Sequence, residues 1–120
     1  MTTLAEIVEA LDLKVRSGED KLDTTEVRGG YVGDLLSDVM GNSREGDLWM
    51  TRQVHQNIVA VASLKDHAGI VLVGGSEPAA DTLEKARRES VPILVSPLPA
   101  FEAIGRIYGL IAVRGKGDAS

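Results

Sequence analysis

Apolar and polar residues alternate along this chain in blocks, and the spacing inside each block changes from one block to the next. Leu4, Ile7, Val8 and Leu11 recur at helical intervals. They follow Thr3-Leu4-Ala5-Glu6, where hydroxyl and carboxylate suit a capping box, so a first amphipathic helix is expected. Residues 13–16 read as a short strand, and Ser17-Gly18-Glu19-Asp20 turns away from it. Residues 25–32 read as a second strand, interrupted at Gly29-Gly30. Asp34 is placed to cap a short helix carrying Leu35, Leu36, Val39 and Met40, which Gly41-Asn42 stops.

The second half is more regular. Three apolar strands, 48–51, 68–73 and 92–95, each precede a helical pattern. The run Ala68-Gly69-Ile70-Val71-Leu72-Val73 is continuous rather than alternating, as in a parallel strand covered on both faces. Helix 55–66 is apolar nearly all round, which predicts deep burial or an oligomer interface. Helix 79–90 is capped in this reading by Asp81-Thr82-Leu83-Glu84, with Glu84/Arg88 and Lys85/Glu89 pairs on a solvated face. Pro99 suits the first turn of a last helix running to about Gly109, with Phe101 and Tyr108 packed on the sheet. Residues 113–120 read as a flexible tail. Strand–helix alternation predicts an α/β fold: a single-domain three-layer sandwich with a mainly parallel sheet of about five strands and helices on both faces. The less regular N-terminal third adds an antiparallel or edge strand.

Composition narrows the functional classes. The 120 residues suit one domain, 43% hydrophobic and 26% charged, hence globular rather than disordered. There is no cysteine, which excludes disulfides, thiolate metal sites and thiol nucleophiles and fits a cytoplasmic protein. The first residues carry no secretory signal, and no apolar run approaches the ~20 residues of a membrane span. With 13 basic against 18 acidic residues the net charge is −5, and aromatics are only 3%. Unclustered basic groups and few stacking rings argue against nucleic acid.

Candidate chemistry gathers where strands empty into loops. In open α/β sheets, ligands bind beyond the carboxyl ends of the strands, near helix N-termini. Thr51, Gln53, His55, Gln56 and Asn57 form the richest cluster: amides and a neutral imidazole suit a base edge, ribose or phosphate, or else simply satisfy a loop. Gly74-Gly75-Ser76 follows the strongest strand and Ser96 the last, so a parallel sheet brings three loops to one edge. Gly29-Gly30 serves either a turn or the close approach of a phosphate. Asp34 and Asp38 stand one helical turn apart and read as helix-dipole partners rather than cation ligands. His67 follows a helix C-terminus, a structural position, and Trp49 and Tyr31 read as core aromatics. No nucleophile–base pair and no metal or cofactor set is visible, so neither catalysis nor a cofactor is expected.

Gly29-Gly30, Gly33-Asp34-Leu35-Leu36-Ser37-Asp38-Val39-Met40 and the 48–57 stretch together resemble a DRTGG domain over roughly residues 3–112. Of the namesake pentapeptide, aligned with Glu26-Val27-Arg28-Gly29-Gly30, only the two glycines match. The module is similar to the N-terminal domain of HPr kinase/phosphorylase and also occurs in phosphate acetyltransferases and between the CBS repeats of regulatory pyrophosphatases. Stand-alone versions are often labelled putative HPr serine kinases. Phosphoryl transfer of that kind needs a G-x-x-x-x-G-K-[ST] loop. Gly74-Gly75-Ser76 lacks the lysine, and Gly115-Lys116-Gly117 lies in the tail. The resemblance implies a non-catalytic regulatory module that senses an adenine nucleotide or phosphorylated metabolite and acts through a partner enzyme or regulator. The alternative is a homodimeric interaction module with an empty cleft.

Overall fold

The structure, a computed structural model, describes residues 1–119, and side chains through residue 112. The elements run α1 (Leu4–Leu11), β1 (Lys14–Ser17), β2 (Gly29–Val32), α2 (Leu36–Asn42), β3 (Asp47–Thr51), α3 (Asn57–Lys65), β4 (Gly69–Leu72), α4 (Ala80–Glu89), β5 (Ile93–Val95) and α5 (Ala100–Ala119), with a 3-10 turn at Glu19–Lys21. The strands form one five-stranded sheet in the order β1-β5-β4-β3-β2. β2, β3, β4 and β5 pair in parallel, and β1 joins the far edge antiparallel to β5. This is the expected α/β sandwich, and the N-terminal third supplies both edge strands.

Alternation along each strand divides the core into two layers. Leu48 and Met50 of β3, Val71 of β4 and Leu94 of β5 pack with Leu4, Ile7, Ala103 and Ile107 of α1 and α5. Trp49, Ile70, Leu72, Ile93 and Val95 pack on the opposite face with Val39, Ile58, Val59, Ala62 and Ala86 of α2, α3 and α4. Both faces of the central strands are therefore dry, and each fully buried large aliphatic side chain contributes about 1.5–3 kcal/mol. The nearly all-round apolar α3 lies between α2 and α4. Burial of Ile58, Val59, Val61 and Ala62 accounts for most of its composition, while Leu64 stays exposed.

Several local expectations are corrected. Thr3 does cap α1, accepting from the Glu6 amide at 3.3 Å. Asp34 does not cap α2, whose N-cap is Leu35 without a side-chain bond. Nor does the 81–84 segment cap α4: Ala79 is the N-cap, and buried Thr82 donates to the Val54 carbonyl at 2.7 Å. Of the two ion pairs expected on α4, Lys85–Glu89 forms at 3.9 Å. Phe101 and Tyr108 do not pack on the sheet; they are 93% and 71% exposed. The buried stripe of α5 is Ala103 and Ile107, flanked by Ile104, Leu110 and Ile111, which turns positions 101 and 108 away. Nor does the last helix stop at Gly109: α5 carries on past it. The tail expected over 113–120 lies outside the residues with described side chains. No helix among the described residues is long and apolar enough to cross a membrane.

Candidate functional site

Parallel register places the ends of β3, β4 and β5 on one rim: Thr51 stands beside Leu72, and Leu72 beside Val95. The loops carrying Thr51–Asn57, Gly74–Ser76 and Ser96 therefore gather at one edge. β2 ends on the same rim, since Val32 pairs with Met50.

Much of the polar chemistry on this rim is already engaged within the chain. The Thr51 hydroxyl donates to Asp34 Oδ1 at 2.7 Å, and the Arg52 amide donates to the same oxygen at 2.8 Å. Gln53 donates through its backbone to Thr51 Oγ1 at 3.2 Å and through Nε2 to the Asp34 carbonyl at 3.1 Å. The Arg52 amide and the Thr51 hydroxyl hold the Asp34 carboxyl below its ordinary range. Asp34 is therefore a clasp between the loops after β2 and β3. Its partner in the expected acidic pair is elsewhere: Asp38 accepts from the Tyr31 hydroxyl at 2.7 Å and from Asn42 Nδ2 at 2.9 Å. That bond pushes the Tyr31 hydroxyl pKa up.

Gly74 and Gly75 both adopt positive φ, at 69° and 76°, a turn that side chains with a Cβ resist. Their amides are engaged, Gly74 with the Leu98 carbonyl and Gly75 with the Ser96 carbonyl, both at 2.9 Å. Ser96 is fully buried, and its Oγ accepts from the Leu98 amide at 3.3 Å, so it braces the rim from inside. What the rim presents outward is Arg52, His55, Gln56 and Asn57. Arg52 was not among the expected residues. Its guanidinium lies against the Gly74 turn, Nε standing 3.8 Å from where a Cβ would sit; it forms no direct salt bridge among the described residues, though its charge adds to the pull that keeps Asp34 ionised. An arginine directly following a strand end is a signal that sequence reading could have used.

Gly29 and Gly30 are not brought to this rim. They sit at the opposite end of β2, beside Asp47 and Leu48. Neither has positive φ, and they do not interrupt the strand; they begin it. What they supply is missing bulk: a Cβ on Gly29 would stand 2.9 Å from Asp47 Oδ1. A polar cleft of about 400 Å³ opens there, lined by Arg28, Tyr31, Asn42, Arg44 and Glu45. A second cleft, about 370 Å³, opens at the amino ends of the strands between Lys21, Arg28, Asp66, His67 and Ser90.

His67 is buried against Trp49 in an edge-on ring contact at 5.7 Å. The Ser43 hydroxyl donates to the Val39 carbonyl at 2.6 Å, so His67 Nε2 donates to Ser43 Oγ at 2.8 Å. Nδ1 then carries a lone pair, and burial pushes the imidazole pKa down. The ring is thus a structural group, as expected, and its burial disfavours the charged form. Trp49 is fully buried, with Nε1 donating to the Gly33 carbonyl at 2.9 Å, while Tyr31 is only half-buried. Among the described residues no group of three His, Cys, Asp or Glu side chains is placed to hold a metal.

A family model described as the DRTGG domain matches residues 6–110. This chain belongs to the DRTGG domain family. The fold of this DRTGG domain is also similar to a crystal structure of the CBS and DRTGG domains of the regulatory region of Clostridium perfringens pyrophosphatase, complexed with its activator, diadenosine tetraphosphate. That match has 19% identity and a TM-score of 0.67, covering 85% of this chain and 44% of that one. The chain thus spans less than half the length of its structural relative, and the likeness speaks for the fold. No curated protein matches the chain.

Proposed function

We propose that this DRTGG domain is a non-catalytic cytoplasmic sensing module, akin to the N-terminal domain of HPr kinase/phosphorylase. It takes up an adenine nucleotide or another phosphorylated metabolite at the carboxyl rim of the sheet and acts through a partner enzyme or regulator. The observation that carries this reading is Arg52, an exposed guanidinium without an ion pair, set against the Gly74–Gly75 turn. Guanidinium groups favour phosphate because five N–H donors sit in a fixed fork. His55, Gln56 and Asn57, exposed where α3 begins, offer donors and acceptors for a base or ribose. Thr51, Gln53 and Ser96 hold the loops in place beneath the ligand. The structural relative that carries diadenosine tetraphosphate supports the ligand class.

The Asp34 clasp supplies a route outward. A ligand that pulls on Arg52 bears on the loop after β3, and Asp34 ties that loop to the end of β2. Gly29 and Gly30, at the other end of β2, lie away from this ligand site.

Thermal denaturation with ATP, ADP, AMP, diadenosine tetraphosphate and inorganic phosphate tests the proposal. A ligand at 100-fold its Kd adds about 2.7 kcal/mol, a clear rise in melting temperature. Arg52→Ala should abolish the rise while leaving the unliganded melting temperature unchanged. A flat response to all five ligands, or an undiminished one in Arg52→Ala, contradicts it.

A further inference from the structure

Phe101, Gly105, Tyr108 and Ala112 follow one another at intervals of four, three and four, so they share one face of α5. That face looks away from the sheet, and its two rings are 93% and 71% exposed. Aromatic side chains carry a large burial gain, which this chain by itself forgoes at both positions. The small residues are equally unexplained from within. Glycine weakens a helix interior relative to alanine, yet a Cβ built at Gly105 or Gly109 would meet nothing within 4 Å.

Beside the rings an apolar groove of about 220 Å³ opens between α5 and the edge strand β2. Gly30 and Val32 line it from β2, and Ile104, Tyr108, Ile111 and Ala112 line it from α5. An apolar cavity of about 150 Å³ already accepts benzene, so the groove has room for a phenyl ring. Helix α5 therefore carries a knob, Phe101, and a hole beside Ala112, two to three turns apart on the same helix.

We infer that this face of α5 joins a second copy of the chain in a two-fold dimer, with Phe101 of each copy seated in the apolar groove of the other. An antiparallel copy reverses the order along the helix, so position 101 comes level with 112 and position 105 with 108. Each ring then meets a small residue or the groove, and one two-fold axis satisfies both contacts at once. A partner of different sequence would have no need of knob and hole on one helix. Charge permits the meeting, because Glu102 and Arg106 on the flank are already paired at 2.8 Å. The area fits as well. The two rings expose roughly 300 Å² between them. A stable dimer buries about 800 Å² per copy, of which about 500 Å² is apolar. The rings supply more than half of that, and half-exposed Val32 with half-buried Ile104 and Ile111 extends it.

Sedimentation equilibrium of the full chain, from about 10 μM to about 1 mM and without nucleotide, tests the dimer. A failure here leaves the Arg52 site standing, and a failure there leaves this one. The weight-average mass should climb from that of one chain, 12.8 kDa, toward twice that value. Phe101→Ser removes the knob, and Val32→Asp sets a charge in the groove. Each should weaken association at least about tenfold with the melting temperature retained. Tyr108→Ser replaces Val32→Asp should that variant lose the fold. An equimolar mixture of knob and groove variants should recover part of the association, because one intact knob then meets one intact groove. Substitutions that merely loosened the fold would show no such recovery. A mass that stays at 12.8 kDa throughout overturns the inference and leaves the face to another partner. So does association that survives both variants, or a mixture that behaves as its separate components do.

Discussion

The two edges of this sheet are built to opposite rules. At the β1 edge the strand carries an irregularity in register between Val15 and Ser17. Buried Ser17 donates to the Val91 carbonyl at 2.8 Å and accepts from the Ile93 amide at 3.0 Å. Arg16 reaches Glu77 through two bonds, at 2.9 and 2.8 Å, and Lys21 donates to the Ser90 carbonyl at 2.8 Å. Irregular register and charged side chains are ways in which proteins discourage further strand pairing. The β2 edge has two glycines, a half-exposed valine and a groove on each face. One edge is closed by its own side chains, and the other is kept clear.

That contrast can be broken from the closed side first. Gly18 has φ 82°, and a Cβ there would stand 2.7 Å from the Pro92 Cα, a backbone atom. Gly18→Ala should cost about 3 kcal/mol from strain and overpacking, read as a drop in the urea midpoint. Ser17→Ala strands a buried carbonyl and a buried amide together and should cost about 2 kcal/mol in the same assay. If both variants are as stable as wild type, the β1 edge is not held as described.

On the β2 side the stabilising element is Asp34. Its folded pKa lies below the unfolded value, so its contribution is complete above about pH 4 and is lost as pH falls through the folded pKa. Melting temperatures between about pH 5 and pH 2 should fall less steeply in Asp34→Asn than in wild type. The smallest effect belongs to Gly30→Ala. Its Cβ would stand 3.0 Å from Met50 Cε, the end of a flexible side chain, and in ordinary contact with the Leu48 carbonyl at 3.6 Å, and its φ lies outside the left-handed region. The cost should stay below about 1 kcal/mol. A loss as large as that of Gly18→Ala erases the distinction between the edges.

The middle of the molecule was far more legible in its sequence than its edges and caps. The unbroken apolar run at 68–73 marks a parallel strand buried on both faces, because only such a strand avoids polar positions altogether. Thr3 was readable because its cap bond closes within three residues. Asp34 and Thr82 were misread because their partners, Thr51 and Arg52 in one case and Val54 in the other, lie 17 to 28 positions away. Local rules see only local partners. Phe101 and Tyr108 share a face of α5 as expected, but weighting ring size over the Ala103–Ile107 stripe put the wrong face against the sheet. The rim itself followed from strand–helix alternation. Arg52 could have been read from its place directly after a strand end, but the burial of Ser96 depends on how two loops cross, which no spacing encodes.

The account's central claim is that the carboxyl rim senses a phosphorylated ligand and passes the event to β2 through Asp34. An NMR titration with diadenosine tetraphosphate tests it by following every backbone amide in one series. The account predicts saturable shifts at Arg52, Gly74 and Gly75, smaller ones at Gly33, Asp34 and the Gly29–Val32 amides, and none at Lys14–Ser17. Saturation with the rim amides unmoved, or shifts confined to the β1 edge, would contradict it.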